Sequence, residues 1–127
     1  MNEQNSLTFT GRVRSVKFAV RGIRTMVASQ QNAWLHAVAT VVVVAAGAIL
    51  GLAWTDWCWI VLAIMAVWTA EALNTAFEFL TDVASPNFHP IAEKAKDVAA
   101  GAVLISAVGA AIIGILVFSP RVVLHLP

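Results

Sequence analysis

The sequence predicts an all-α integral membrane fold: three transmembrane helices in one protomer, preceded by an amphipathic basic helix that lies on the membrane surface. Two observations carry the spans. The 127 residues are 60% hydrophobic and only 12% charged, a membrane composition. The apolar residues are gathered into runs near 33–54, 57–80 and 98–118, each long enough to cross a hydrocarbon core of roughly 30 Å as a helix of about 20 residues. A third observation, the placement of charge, orients them. Arg12, Arg14, Lys17, Arg21 and Arg24 precede the first run and Lys94 and Lys96 precede the third, whereas the turn after the first run holds Asp56 and no cation. The cationic bias puts the N-terminus and the second loop in the cytoplasm and the C-terminus outside. The runs use up most of the chain, so two regions are expected: a cytoplasmic N-terminal region, 1–32, and a three-span domain, 33–127. Any chemistry must then come from span residues, short loops and neighbouring copies of the chain.

Residues 1–8 are a polar lead-in. From about 11 to 30, Val13, Val16, Val20, Ile23 and Val27 recur at spacings of three and four beside a stripe of Arg14, Lys17, Arg21 and Arg24, the pattern of a surface helix that anchors on anionic head groups. Five basic residues spread over this stretch separate Met1 from the first apolar run, which is unlike a signal peptide, so the first span is expected to be retained. That span contains Val41 to Val44 and the small-residue patch Ala45 to Ala48. Trp34 at one end and Trp54, Trp57 and Trp59 at the other are placed as interfacial anchors. Cys58 is the sole cysteine, which excludes an internal disulfide and the spacings zinc requires; it reads as a packing residue. Pro86 and Pro90 bracket the second loop, and Pro90 suits the first turn of a helix that starts before the membrane. In the third span Ala102, Ser106, Ala110 and Gly114 stand four apart, a small-residue face for close helix packing or oligomerisation.

The second span carries the candidate site. At 100° per residue, Glu71, Asn74, Glu78 and Asp82 fall within about 80° of one another, bordered by Thr75. An ionisable group at mid-membrane costs at least about 2.5 kcal/mol on the mildest scale, so such residues mark function by default. Taken singly, Asn74 and a protonated Glu71 read as glue between helices, and Glu78 and Asp82 as interfacial charges. Four on one face, running towards a loop with Lys94, Lys96 and Asp97, favour a site for proton relay, ion passage or phosphoryl transfer. Phosphoryl transfer uses the parts by depth. Glu78, near the aqueous edge, suits Mg²⁺, which takes one or two carboxylates plus phosphate oxygens. Glu71, seven residues and about 10.5 Å deeper, suits a base towards a lipid hydroxyl, and Lys96 and Lys94 suit phosphates. No GxxxxGK loop is present, so an ATP site here is of another construction.

The segments EALNTAFEFLTD (71–82) and HPIAEKAKDVAAGAVL (89–104), with FAVRGIR (18–24) upstream, resemble the prokaryotic diacylglycerol kinase and undecaprenol kinase family over nearly the whole chain. The resemblance implies a homotrimer with active sites shared between subunits, in the bacterial inner (cytoplasmic) membrane, transferring the ATP γ-phosphate to the hydroxyl of undecaprenol or diacylglycerol in phospholipid or lipid-carrier metabolism. It implies Glu71 as proton acceptor, Glu78 as metal and ATP ligand, and Asn74 and Asp82 as supporting groups. Asn87, Phe88, His89, Lys96 and Asp97 fall at the family's nucleotide contacts. One departure bears on Mg²⁺: the family often has a metal-binding Glu in a pattern like ERNARIH, where this chain reads QQNAWLH (30–36) and offers Gln30 instead. The expectation is an ATP- and Mg²⁺-dependent lipid kinase with no nucleic-acid partner; HPIAEKAKD leans towards the undecaprenol members. The alternative is a small oligomeric proton-coupled transporter or channel using Glu71, which leaves Glu78, Asp82 and the basic loop unexplained. A purely structural oligomer would leave the whole stripe without a task.

Overall fold

The computed structural model describes residues 9–124; the polar lead-in, 1–8, lies outside them. Four helices follow one another: α1 (Phe9–Ser29), α2 (Gln31–Ile49), α3 (Trp54–Ala84) and α4 (Pro90–Leu124). The last three are each long and apolar enough to cross a membrane, so the chain is a multi-pass membrane protein. Helix is the form expected there, since it satisfies each backbone polar group within its own segment where water is absent. At 1.5 Å per residue the 31 residues of α3 and the 35 of α4 reach about 46 and 52 Å, beyond a core of roughly 30 Å. Both therefore project into the aqueous phase.

The ends of the helices follow from local chemistry. The first apolar run continues to Trp54, yet α2 stops at Ile49 because Gly51 takes a left-handed φ of +62°. The Leu52 N–H then donates to the Gly47 carbonyl at 3.1 Å, a Schellman closure. A Cβ on Gly47 would lie 2.9 Å from both Leu52 and the Trp57 ring. Trp57 thus packs on the turn and is half-buried, unlike the exposed Trp34, Trp54 and Trp59. Asp56, in the first turn of α3, accepts the Ala53 N–H at 3.2 Å and an Arg121 guanidinium N–H at 2.7 Å. Arg121 also donates to the Gly51 carbonyl at 3.4 Å, so the end of α4 is clasped to the α2–α3 turn. At the opposite end Ser85 and Pro86 terminate α3, and α4 opens with Pro90 at its first position. His89 caps α4, its Nδ1 accepting the Ile91 N–H at 3.2 Å.

Packing is uneven. α3 and α4 lie against each other extensively, while α2 and α1 touch α3 over short stretches. The buried face of α3 reads Ile60, Ala63, Val67, Glu71, Asn74 and Thr75, apolar towards the Asp56 end and polar towards the loop at 85–89. Large apolar side chains such as Leu62, Met65, Leu104, Ile112 and Leu116 are exposed on the protomer. Gly101, Gly109 and Gly114 have no neighbour within 4 Å of a Cβ position, so the small-residue face of α4 is not closed by another helix of the same chain.

Candidate functional site

The polar part of the α3 stripe meets α2 and the α1–α2 junction through three contacts in antiparallel order. Gln30, the N-cap of α2, donates its side-chain amide N–H to Glu78 Oε2 at 2.5 Å. His36 Nε2 lies 3.9 Å from Glu71 Oε2. Trp68 Nε1–H donates to Thr40 Oγ1 at 3.1 Å, and Thr40 in turn donates to the His36 carbonyl at 2.7 Å. Residues rising along α2 are matched by residues falling along α3, and the register of the two helices is thereby fixed by polar groups.

Glu71 is fully buried, and neither of its carboxylate oxygens has a hydrogen-bond partner. Native interiors rarely leave such a group unpaired, and exceptions call for a functional or structural reason. Beside it, Thr75 Oγ1 donates back to the Glu71 carbonyl at 2.9 Å. One turn further, Asn74 is nearly buried, donates Nδ2–H to Glu78 Oε1 at 3.1 Å, and leaves its own Oδ1 unpartnered. Glu78 is half-buried and held by two amides, from Gln30 and Asn74. Its carboxylate is an oxygen donor of the kind Mg²⁺ accepts when phosphates complete its shell. Among the described residues no three His, Cys, Asp or Glu side chains cluster as a metal site.

At the loop end, Thr81, Asp82, Asn87, Phe88, His89, Glu93 and Lys96 line one pocket of about 270 Å³. Five of the residues singled out in the sequence, Asp82, Asn87, Phe88, His89 and Lys96, meet there. Lys96 is ion-paired with Asp82, which ties α4 to α3 across the mouth of the pocket. Asp97 is exposed one position further on and does not line it. Glu78, one turn below Asp82, stands between this pocket and Glu71. Lys94 faces a different groove, of about 910 Å³ between α3 and α4, whose wall is otherwise mostly apolar and includes Leu62, Leu73 and Val98 with Asn74.

His36 keeps the last position of the ERNARIH-like pattern within QQNAWLH (30–36), a signal that names no partner, and the Thr40–Trp68 bond carries none by itself. His36 sits in an apolar stretch with no charged neighbour, and its relation to Glu71 exists only once α2 turns back on α3. The offset between the two helices is what the linear sequence withholds.

Residues 17–118 match the family model for prokaryotic diacylglycerol kinase. An undecaprenol kinase of Bacillus subtilis is 39% identical over 108 residues, covering 85% of this chain and 88% of that protein. A diacylglycerol kinase of Synechocystis is 36% identical over 101 residues, covering 79% of this chain and 58% of that longer protein. With the match spanning all three membrane helices and the candidate site, the chain belongs to the prokaryotic diacylglycerol kinase family and is a lipid kinase of that type.

Proposed function

We propose that the protein transfers the γ-phosphate of ATP to the primary hydroxyl of a membrane lipid, with Glu71 as proton acceptor and undecaprenol as the first acceptor to test. The observation that carries this reading is the division of one helix face by depth. A buried, unpartnered carboxylate at Glu71 lies about 16.5 Å along the helix from Asp82, which lines a polar pocket at the end of the same helix, with Glu78 between them. In the reaction the lipid hydroxyl oxygen forms a bond to the γ-phosphorus, its proton passes to a Glu71 oxygen, and the bond from that phosphorus to the β–γ bridging oxygen breaks to release ADP. No hydrogen bond occupies either Glu71 oxygen, the nearest polar side chain of another helix being His36 with Nε2 3.9 Å from Oε2, so a lone pair is open to that proton. Glu78, with Asn74 and Gln30 around it, would hold Mg²⁺, which neutralises phosphate charge when bound. Asp82, Asn87, Phe88, His89 and Lys96 would receive the nucleotide, with Asp97 beside them. Lys96 would exchange Asp82 for phosphate oxygens.

The relative of 39% identity is named an undecaprenol kinase and the one of 36% a diacylglycerol kinase, and both acceptors present a primary hydroxyl on a long apolar body. The α1 helix would lie at the cytoplasmic face of the bacterial inner membrane, its exposed Val13, Val16, Val20 and Ile23 against acyl chains. The open face of α4 leaves room for further copies, and the homotrimer that the resemblance implies is the assembly proposed. Labelled ATP supplied with detergent-solubilised undecaprenol and diacylglycerol side by side tests the reading: label is expected in at least one lipid, and its absence from both overturns it. Glu71→Gln is expected to abolish transfer while the oligomer persists on size-exclusion chromatography.

A further inference from the structure

The Glu71 carboxylate is buried among helices with no bonded partner, yet one polar side chain of another helix faces it. His36 Nε2 stands 3.9 Å from Oε2, about 1 Å longer than an N–H···O bond, and its side chain is only 14% exposed. Its place is not accidental to the backbone. The His36 carbonyl is fixed by Thr40, and Thr40 by the indole of Trp68, which stands three residues before Glu71 on α3. The same bonds that set the register of α2 against α3 therefore bring the imidazole to the carboxylate. Among the described residues no other side chain of a neighbouring helix is paired with Glu71.

We propose that His36 is the positioning residue of Glu71: its Nε2–H holds Oε2 and leaves Oε1 turned to the acceptor hydroxyl. A carboxylate that rotates freely would present the wrong lone pair for part of the time, and fixing a reacting group in a productive geometry is a recognised source of rate. His36 also lines a groove of about 460 Å³ with Leu35, Ala39, Ile60, Ala63 and Gly114. Within that apolar wall it and Thr40 are the polar side chains, so the imidazole is the polar group available where α2 meets the Glu71 level of α3.

This inference rests on Glu71 as the proton acceptor, and the experiment separates the two. His36→Leu, His36→Gln and Glu71→Gln are assayed in parallel for kcat and for the KM of ATP. His36→Leu removes the donor; kcat is expected to fall roughly ten- to hundredfold, the range of a lost hydrogen bond to a charged group, with the KM for ATP unchanged. His36→Gln supplies an N–H of similar reach and is expected to recover most of kcat. Full kcat in His36→Leu, or a His36→Gln enzyme as slow as His36→Leu, overturns the positioning role. Full activity in Glu71→Gln overturns the proton-acceptor reading instead. Infrared difference spectra against Glu71→Gln isolate the Glu71 carboxylate stretch, which is expected to shift in His36→Leu; an unmoved band counts against the bond. Should His36→Leu fail to assemble, the kcat of His36→Gln decides alone, near-parental values supporting the bond and loss overturning it.

Discussion

Gln30 and Glu78 meet as donor and acceptor, an amide N–H on a carboxylate oxygen at 2.5 Å. A second carboxylate at position 30 would turn that attraction into repulsion unless a cation stood between them. Gln30→Glu is therefore expected to lower the Mg²⁺ concentration for half-maximal activity, read from a Mg²⁺ titration at fixed ATP; an unchanged midpoint would separate residue 30 from the metal. The residue scale is also where the sequence is most uneven as a guide. Glu71, Asn74 and Glu78 declare themselves through spacing, because the period of one helix is enough to put them on one face. The consequence of Gln30 is visible only in part: its missing charge can be read from the chain, but its contact with Glu78 spans 48 positions. His36 illustrates the opposite limit, a single imidazole in an apolar run whose partner lies on another helix.

At the scale of elements, the turn between α2 and α3 folds one helix back on the other so that these contacts can form. Gly51 occupies the left-handed region, where a side chain costs about 1–2 kcal/mol, and Gly47 lies under the Trp57 ring. Gly51→Ala and Gly47→Ala are each expected to lower stability by about 1–3 kcal/mol, read from denaturation in mixed micelles. Trp57→Phe in the Gly47→Ala background is expected to restore part of the loss, because it removes the ring atoms that would be struck. A variant of Gly47 as stable as the parent would mean that the turn yields at no cost. The apolar run to Trp54 conceals this turn, since hydropathy does not distinguish a helix from the tight connection that follows it. Pro86 and Pro90, by contrast, announce the second loop directly, one by stopping a helix and the other by starting one.

The whole protomer is an open arrangement. α2 is held to α3 mainly by polar contacts and its end turn, and broad apolar faces of α3 and α4 have no protein against them. Lipid and further copies are the two environments that can cover such faces. If the sites are shared between subunits, a chain carrying Glu71→Gln and a chain carrying Lys96→Ala are each expected to be inactive alone and to regain a fraction of the parental activity when co-assembled. Complete inactivity of the mixed oligomer, with both chains demonstrated in it, would confine each site to one protomer. The three spans and their order are legible from composition because the bilayer imposes its thickness on any chain that crosses it. The assembly is not, since small residues such as Ala110 and Gly114 permit close approach without naming the surface that approaches.

Between Trp54 and Ala84, α3 contains neither glycine nor proline. Kinks in long helices arise mostly at those residues or at local faults in the hydrogen-bond ladder, so this helix behaves as a stiff rod with marks on it. In the proposed reaction one mark, Glu71, belongs to the lipid and another, Glu78, to the phosphates. A stiff rod cannot shorten the interval between them. The burden of closing the distance then falls on the substrates: the phosphate chain must descend below the rim of its pocket, and the lipid must lift its hydroxyl out of the hydrocarbon to meet it.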